Sequence, residues 1–308
     1  MYIKQGDLFR GVSISFLTKA MILAQRGSCP EGGILFHRGE PAAFFFVLIN
    51  GSVELSVGEA DRPVHIGDRT GESFGWAALV GRDSYPATAR CLTRIDYLRI
   101  RVDDFKALLN DRLEDALIFY QNLSRALSGR LMQSYLGEPP AAEKAAAPRP
   151  PGGSAPEWVE ATLADCEFFE GLARSDLEKI VCLCQEQHFQ TGETIFCQGD
   201  HGEHLYVIAE GRVVLERAID LGDRKGRVAI EALEKGRVLG SWSTLLALPH
   251  QLMSTAVCIK PTRLVAMPGA ALRDLMLGNK DLGFNVMEKF CFLLRDRIQA
   301  AYGALEKI

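Results

Sequence analysis

The chain has 308 residues, room for two domains of ordinary size, and its 47% hydrophobic and 24% charged content is that of a globular protein. A net charge of −4 at pH 7 speaks against a nucleic-acid surface, which needs a basic face. No apolar stretch approaches the ~18 residues of a membrane helix, and MYIKQGDLFRG at the N-terminus has no signal-peptide core, so no membrane span and a cytoplasmic location are expected.

In chain order, residues 13–25 read as a helix. Short runs of Val, Ile, Leu and Phe follow, punctuated by glycine turns, as in a small antiparallel barrel. A long helix is expected over 103–136. Residues 137–157, GEPPAAEKAAAPRPPGGSAPE, hold six of the 13 prolines and no large apolar side chain, so they read as a linker. The pattern then starts again. A helix over 173–187 places Leu177, Ile180, Val181 and Cys184 on one face, apolar strands follow, and a long helix covers 281–306. The eight cysteines are scattered, without CxxC pairs, and read as reduced, buried small hydrophobes.

The two halves repeat one another at a shift of 160 residues. GEPAAFFFVLINGSV (39–53) superposes on GDHGEHLYVIAEGRV (199–213), and PEGGILFHRGE (30–40) on QTGETIFCQGD (190–200). RTGESFGWAALVG (69–81) matches EKGRVLGSWSTLLAL (234–248) with one extra residue. A period this long means domain duplication. The expected division is 1–136, the linker 137–157, and 158–308.

The residues that carry the repeat are Gly32, Gly39, Glu40, Phe45, Val47, Leu48, Gly51 and Val53 in the first half. In the second they are Gly192, Ile195, Gly199, Asp200, Leu205, Val207, Ile208, Gly211 and Val213. With the glycine-rich segment that follows, each half resembles the cyclic nucleotide-binding domain of catabolite activator proteins and kinase regulatory subunits. The resemblance implies an α+β fold: two antiparallel β-barrels of jelly-roll type, each flanked by helices and closed by a long C-terminal helix. It implies a non-enzymatic regulator or sensor that signals through a protein partner. The chain ends just after the last long helix, so no helix-turn-helix and no nucleic-acid partner are expected.

In that family the ligand is held by a short helix with the pattern F-G-E-x-A-L, then six residues, then R-A/S-A. Its N–H groups meet the phosphate, the glutamate takes the ribose hydroxyl, and the arginine pairs with the phosphate charge. In the first half Gly71, Phe74, Gly75, Ala78 and Leu79 fit, but Trp76 stands at the glutamate position and Tyr85 at the arginine position. In the second, Gly236, Leu239 and Leu245 fit. The glutamate position falls on Ser241 or Trp242, and the arginine position on Gln251 or Leu252.

The candidate ligand-facing residues are Gly71, Phe74, Gly75, Trp76, Ala77, Arg82, Tyr85 and Thr88, and Gly236, Leu239, Ser241, Trp242, Ser243, His250 and Thr255. Arg82 and His250 are the candidate substitute cations. Trp76 and Trp242 either plug the pocket or stack on a planar ligand. Any ligand is then a cyclic nucleotide or another small anionic or planar molecule. The alternative is a protein-interaction scaffold with both pockets filled by side chains. Asp200, His201, Glu203 and His204 crowd one loop but have no counterpart in the first half, so a solvated turn is expected there, not a metal site.

No nucleophile or metal-protease motif is present, and no catalytic residue is expected. On the last helix Met287, Phe290, Leu294, Ile298, Ala301 and Leu305 form a stripe, matched by Leu113, Ala116, Tyr120, Leu123 and Leu127 on the first. The stripes suggest a homodimer through these helices, or their packing on each other within one chain.

Overall fold

The computed structural model describes residues 6–58, 62–134, 157–220, 225–246 and 251–305. The expected linker lies outside them except for Glu157. The chain forms two compact units. The first comprises 1–135 with 290–308, the second 136–289. The sequence places all of 158–308 in the second half; by contact, the segment from Phe290 onward groups with the first.

A 3-10 turn at Asp7–Phe9 precedes α1 (Ile14–Leu23) in the first unit. Eight strands follow: β1 (Gln25–Cys29), β2 (Ile34–Phe36), β3 (Phe44–Asn50), β4 (Val53–Val57), β5 (Arg62–Gly67), β6 (Ser73–Phe74), β7 (Thr88–Cys91) and β8 (Ile95–Arg101). They form two antiparallel sheets, ordered β1-β8-β3-β6 and β2-β7-β4-β5. Helices α2 (Val102–Asp111) and α3 (Leu113–Ser134) complete the set.

The run FFFVLI in β3 is apolar on both faces because both are covered. Phe46 and Leu48 enter the barrel core, while Phe45 meets Phe105 of α2 edge-on at 4.9 Å. The hairpin glycine Gly51 has φ 88°, and a Cβ there would meet the Arg94 carbonyl at 2.5 Å. Gly211 repeats this with φ 99° against the Pro261 carbonyl.

The second unit repeats the plan. Helices α4 (Glu157–Ala164) and α5 (Arg174–Val181) precede β9 (Gln185–Phe189), β10 (Thr194–Phe196), β11 (His204–Glu210) and β12 (Val213–Asp220). Then come β13 (Lys225–Leu233), β14 (Val238–Gly240), β15 (Thr255–Cys258), β16 (Thr262–Pro268), α6 (Gly269–Gly278) and α7 (Lys280–Leu305). The sheets are ordered β14-β11-β16-β9 and β10-β15-β12-β13. The fold is thus two antiparallel, jelly-roll-like β units with flanking helices. Among the described residues no helix is long and apolar enough to cross a membrane.

Three element boundaries differ from the sequence reading. The helix expected over 173–187 stops at Val181, and Gln185–Phe189 is strand β9, paired with β16. The helix expected over 13–25 ends at Leu23, and Gln25 opens β1. The helix expected over 103–136 is two helices, because Arg112 leaves helical geometry (φ −139°, ψ 66°) and its guanidinium donates to Ser15 Oγ at 2.6 Å. The matching break between α6 and α7 is Asn279, whose Oδ1 accepts from the Leu282 N–H at 3.3 Å as an N-cap.

The apolar stripes of the closing helices are used within the chain. Ala116, Tyr120, Leu123 and Leu127 are buried, as are Met287, Phe290 and Leu294. In the first unit Cys291 Sγ lies 3.1 Å from Ser124 Oγ and 3.6 Å from the Tyr120 carbonyl. This part of each stripe is covered within the chain; Ile298, Ala301 and Leu305 have side chains outside the described residues. Leu294→Ala is expected to lower the unfolding free energy by about 2–5 kcal/mol in urea titrations.

Candidate ligand-binding site

Backbone hydrogen bonds fix the correspondence between the two candidate segments. Gly71 N–H donates to the Leu48 carbonyl at 2.7 Å, and Gly236 N–H to that of Ile208 at 2.8 Å. Leu48 N–H returns to Glu72, and Ile208 N–H to Arg237. Phe74 faces Phe46 across the ladder as Leu239 faces Tyr206. Gly75 (φ 71°) and Gly240 (φ 110°) then turn the chain into 3-10 turns, Trp76–Val80 and Trp242–Leu246. Both turns begin with tryptophan, so Ser241 is the extra residue of the second copy.

The downstream ends match equally well. Gly39 N–H donates to the Tyr85 carbonyl and Tyr85 N–H to that of Glu40, both at 2.9 Å. Gly199 N–H donates to the Leu252 carbonyl at 2.7 Å, and Leu252 N–H to that of Asp200 at 2.8 Å. Tyr85 therefore corresponds to Leu252, not Gln251. Thr88 Oγ1 accepts from Arg38 N–H at 3.1 Å, as Thr255 Oγ1 does from Gln198 N–H at 3.0 Å.

A family profile for the cyclic nucleotide-binding domain matches residues 26–112 and again 186–279, together more than half of the chain. The chain belongs to the cyclic nucleotide-binding domain family. A cGMP-dependent protein kinase from Plasmodium berghei is 24% identical over 249 residues, covering 81% of this chain and 23% of that protein. A cyclic AMP receptor protein from Thermus thermophilus is 32% identical over 100 residues, 32% of this chain and 44% of its own. Relatives that match most of this chain are longer, and it spans a fifth to a quarter of their length. Among solved structures, the regulatory subunit of a cAMP-independent protein kinase A from Trypanosoma brucei aligns with 99% of this chain and 92% of its own. That likeness has 14% identity and a TM-score of 0.39.

In these cyclic nucleotide-binding modules neither arginine position carries a cation. Tyr85 is 4% exposed, and its ring stacks on Phe36 at 3.8 Å and 17°. Its hydroxyl donates to the Phe44 carbonyl at 2.6 Å and accepts from the Phe44 N–H at 3.2 Å. Burial pushes this phenol above its ordinary pKa, so the proton stays in place. Leu252, 6% exposed, belongs to the core of the second barrel.

Trp76 is half-buried at the head of its turn, next to the buried Ala77. A Cβ on Gly75 would press on Phe46 and Phe36 at 3.0 and 3.1 Å. Phe74 stacks on Phe46 at 5.4 Å. Trp242 meets Phe168 edge-on at 5.4 Å. Ser241 is fully buried, its N–H donating to the His204 carbonyl at 2.9 Å and its carbonyl accepting from Thr244 Oγ1 at 2.7 Å.

Arg82 lies past the C-terminal end of its turn, at the opposite end from Trp76. Burial and the neighbouring Arg295 charge lower the pKa of its guanidinium, against an opposing effect of Asp296. Arg295 itself donates to the Val80 and Gly81 carbonyls at 2.6 and 3.1 Å and closes that end of the turn. His250 lies outside the described residues, as does the side chain of Ser243.

One polar pair escapes the sequence reading. Glu72, 7% exposed, accepts from His65 Nε2 at 2.5 Å, the ionised carboxylate being acceptor only. Its other oxygen lies 3.6 Å from Arg69 Nε. Burial alone would raise the Glu72 pKa. The His65 hydrogen bond and charge, with Arg69, outweigh it and hold the carboxyl below 4.5. By register His65 corresponds to Glu231, each opposite the equivalent leucine of its neighbouring strand. Glu72 corresponds to Arg237, which pairs with Glu231 at 3.4 Å. The pair recurs with its charges exchanged.

A carboxylate with a depressed folded pKa adds stability above its unfolded pKa, and that stability is lost as pH falls through the folded value. Glu72→Gln is therefore expected to cost about 1 kcal/mol at pH 7. In thermal melts the gap from wild type should close as pH drops below about 4.5; a pH-independent gap would assign Glu72 a packing role only.

Proposed function

We propose that the protein is a non-enzymatic regulator built of two cyclic nucleotide-binding-type modules, 1–136 and 158–308, that signals through a protein partner in the cytoplasm. In this reading conventional cyclic nucleotide recognition has been given up at both cassettes. The observation that carries it is the inward, core-packed placement of Tyr85 and Leu252 where the family has its arginine. A cyclic phosphodiester buried there would lack its cation, at a cost of several kcal/mol. At ~1.4 kcal/mol per tenfold, affinity falls by orders of magnitude.

Tyr85 satisfies its hydroxyl on the backbone of β3 and stacks inside the barrel. That placement favours, for the first module, the reading as a scaffold whose pocket is filled by its own side chains. The second module offers a buried aliphatic side chain instead, and Trp242 at the head of its turn is the place for a planar ligand. The catalytic activities of the longer relatives belong to those whole proteins.

Calorimetry with cyclic AMP and cyclic GMP is expected to give no dissociation constant below about 1 μM. A submicromolar value for either nucleotide would overturn the proposal. A thermal-shift screen of nucleotides and metabolites separates sensor from scaffold, since a ligand at 100 Kd adds ~2.7 kcal/mol to stability. A shift abolished by Trp242→Ala selects the sensor, and a flat screen the scaffold.

A further inference from the structure

The thiols of Cys29 and Cys91 are neighbours in the first barrel. Cys29 ends β1 opposite Ile95, and Cys91 ends β7 opposite Val53. Cys91 is buried in the barrel core, and the half-buried Cys29 packs against that core. Gly33 lies beside both. Its carbonyl accepts from Cys91 N–H at 2.8 Å, and a Cβ on it would collide with Cys29 Sγ. Gly33 is not among the positive-φ glycines, so space for the sulfur, not backbone geometry, explains the glycine.

The duplicated half is an internal control. Gly192 N–H donates to the Cys258 carbonyl and Cys258 N–H to that of Glu193, as Gly32, Cys91 and Gly33 do in the first half. Cys258 therefore matches Cys91, and Glu193 matches Gly33. β9, however, ends in Phe189 where β1 ends in Cys29, and Phe189 packs on the core that contains Cys258. The second thiol and the glycine that makes room for it occur together in the first barrel and not in its copy.

We propose that Cys29 and Cys91 form a reversible disulfide when the protein meets a hydroperoxide, giving the first module a redox input that acts independently of any ligand. Cys29, the half-exposed thiol, reacts first. Its thiolate takes one oxygen from hydrogen peroxide, breaking the O–O bond and leaving a sulfenic acid and, with the thiol proton, one water. The Cys91 sulfur then displaces the hydroxyl, the S–O bond breaks, the S–S bond forms, and the Cys91 proton leaves with the hydroxyl as a second water. Two thiols lose two electrons and one peroxide is reduced to two waters.

Burial raises the Cys91 pKa to about 12, which keeps that thiol protonated and leaves the first attack to Cys29. The bond would tie the ends of strands in two different sheets. The loop it closes, 29–91, contains the whole candidate segment 71–88.

The test is peptide mapping of the full chain after hydrogen peroxide, with free thiols alkylated and trypsin applied without reduction. The tryptic peptides 27–38 and 91–94 each hold one cysteine. The expected product is their cross-linked pair, lighter than the sum by two hydrogens, lost on dithiothreitol and absent from Cys29→Ser and Cys29→Ala. Cys258 should stay alkylated, and the oxidised wild type should melt at a higher temperature than the reduced. Three results would overturn the proposal: Cys29 over-oxidised beside an alkylated Cys91, both alkylated after saturating peroxide, or Cys29 linked to another cysteine. The wild-type map decides this even if the variants fold poorly.

Discussion

A reciprocal pair of backbone hydrogen bonds governs each barrel: Gly39 with Tyr85 and Tyr85 with Glu40, repeated as Gly199 with Leu252 and Leu252 with Asp200. The pair pins the chain leaving the 3-10 turn against the glycine turn after the second strand. The side chain between those two bonds lies in the barrel core, almost wholly buried. Whatever stands there must suit a low-dielectric interior. Tyrosine does so by giving its hydroxyl to the Phe44 backbone, and leucine by having nothing polar to satisfy. An arginine would need an anion in the same place. Cation and phosphate are thus mutually dependent at this position.

The two copies fill the same interior by different means. In the first, Phe36, Phe46, Phe74, Tyr85 and Tyr97 form a connected set of ring contacts. In the second, the places of Phe74, Tyr85 and Tyr97 are taken by Leu239, Leu252 and Leu264. Ring pairs add directional contacts of about 0.5–1.5 kcal/mol beyond their area, whereas leucines contribute burial alone. Duplication has been followed by divergence in the part of the fold where the family places its ligand.

Much of this was legible in the sequence because backbone geometry leaves glycine behind. Gly39, Gly51, Gly199 and Gly211 all have positive φ, which is why they survive at matching offsets while their neighbours change. The apolar runs of β3 and β11 were legible for the same reason that they are buried on both faces. Strand β9, QEQHF, was not: of its residues only Gln187 is buried, and the apolar spacing upstream carried a helix reading past its end. The break at Arg112 has neither glycine nor proline to announce it. The closing stripes were visible, but spacing cannot say whether a stripe is covered by its own chain or another. The His65–Glu72 pair was hidden because its two members lie seven residues apart across a turn. Its counterpart, Glu231 and Arg237, has opposite signs and lies outside the shift of 160 that aligns the glycines.

That exchange of sign has a consequence for how a duplicated chain folds. Two barrels of one architecture, made in succession on one polypeptide, invite strands of one to be taken up by the other, a recurrent misassembly of repeat proteins. Here such an exchange is self-penalising. If β5 were to enter the second barrel, His65 would face Arg237 instead of a carboxylate. If β13 entered the first, Glu231 would face Glu72, two carboxylates, one of them almost fully buried. At this contact each strand's polar group complements the cassette of its own barrel, a polarity that the overall likeness of the two halves disguises.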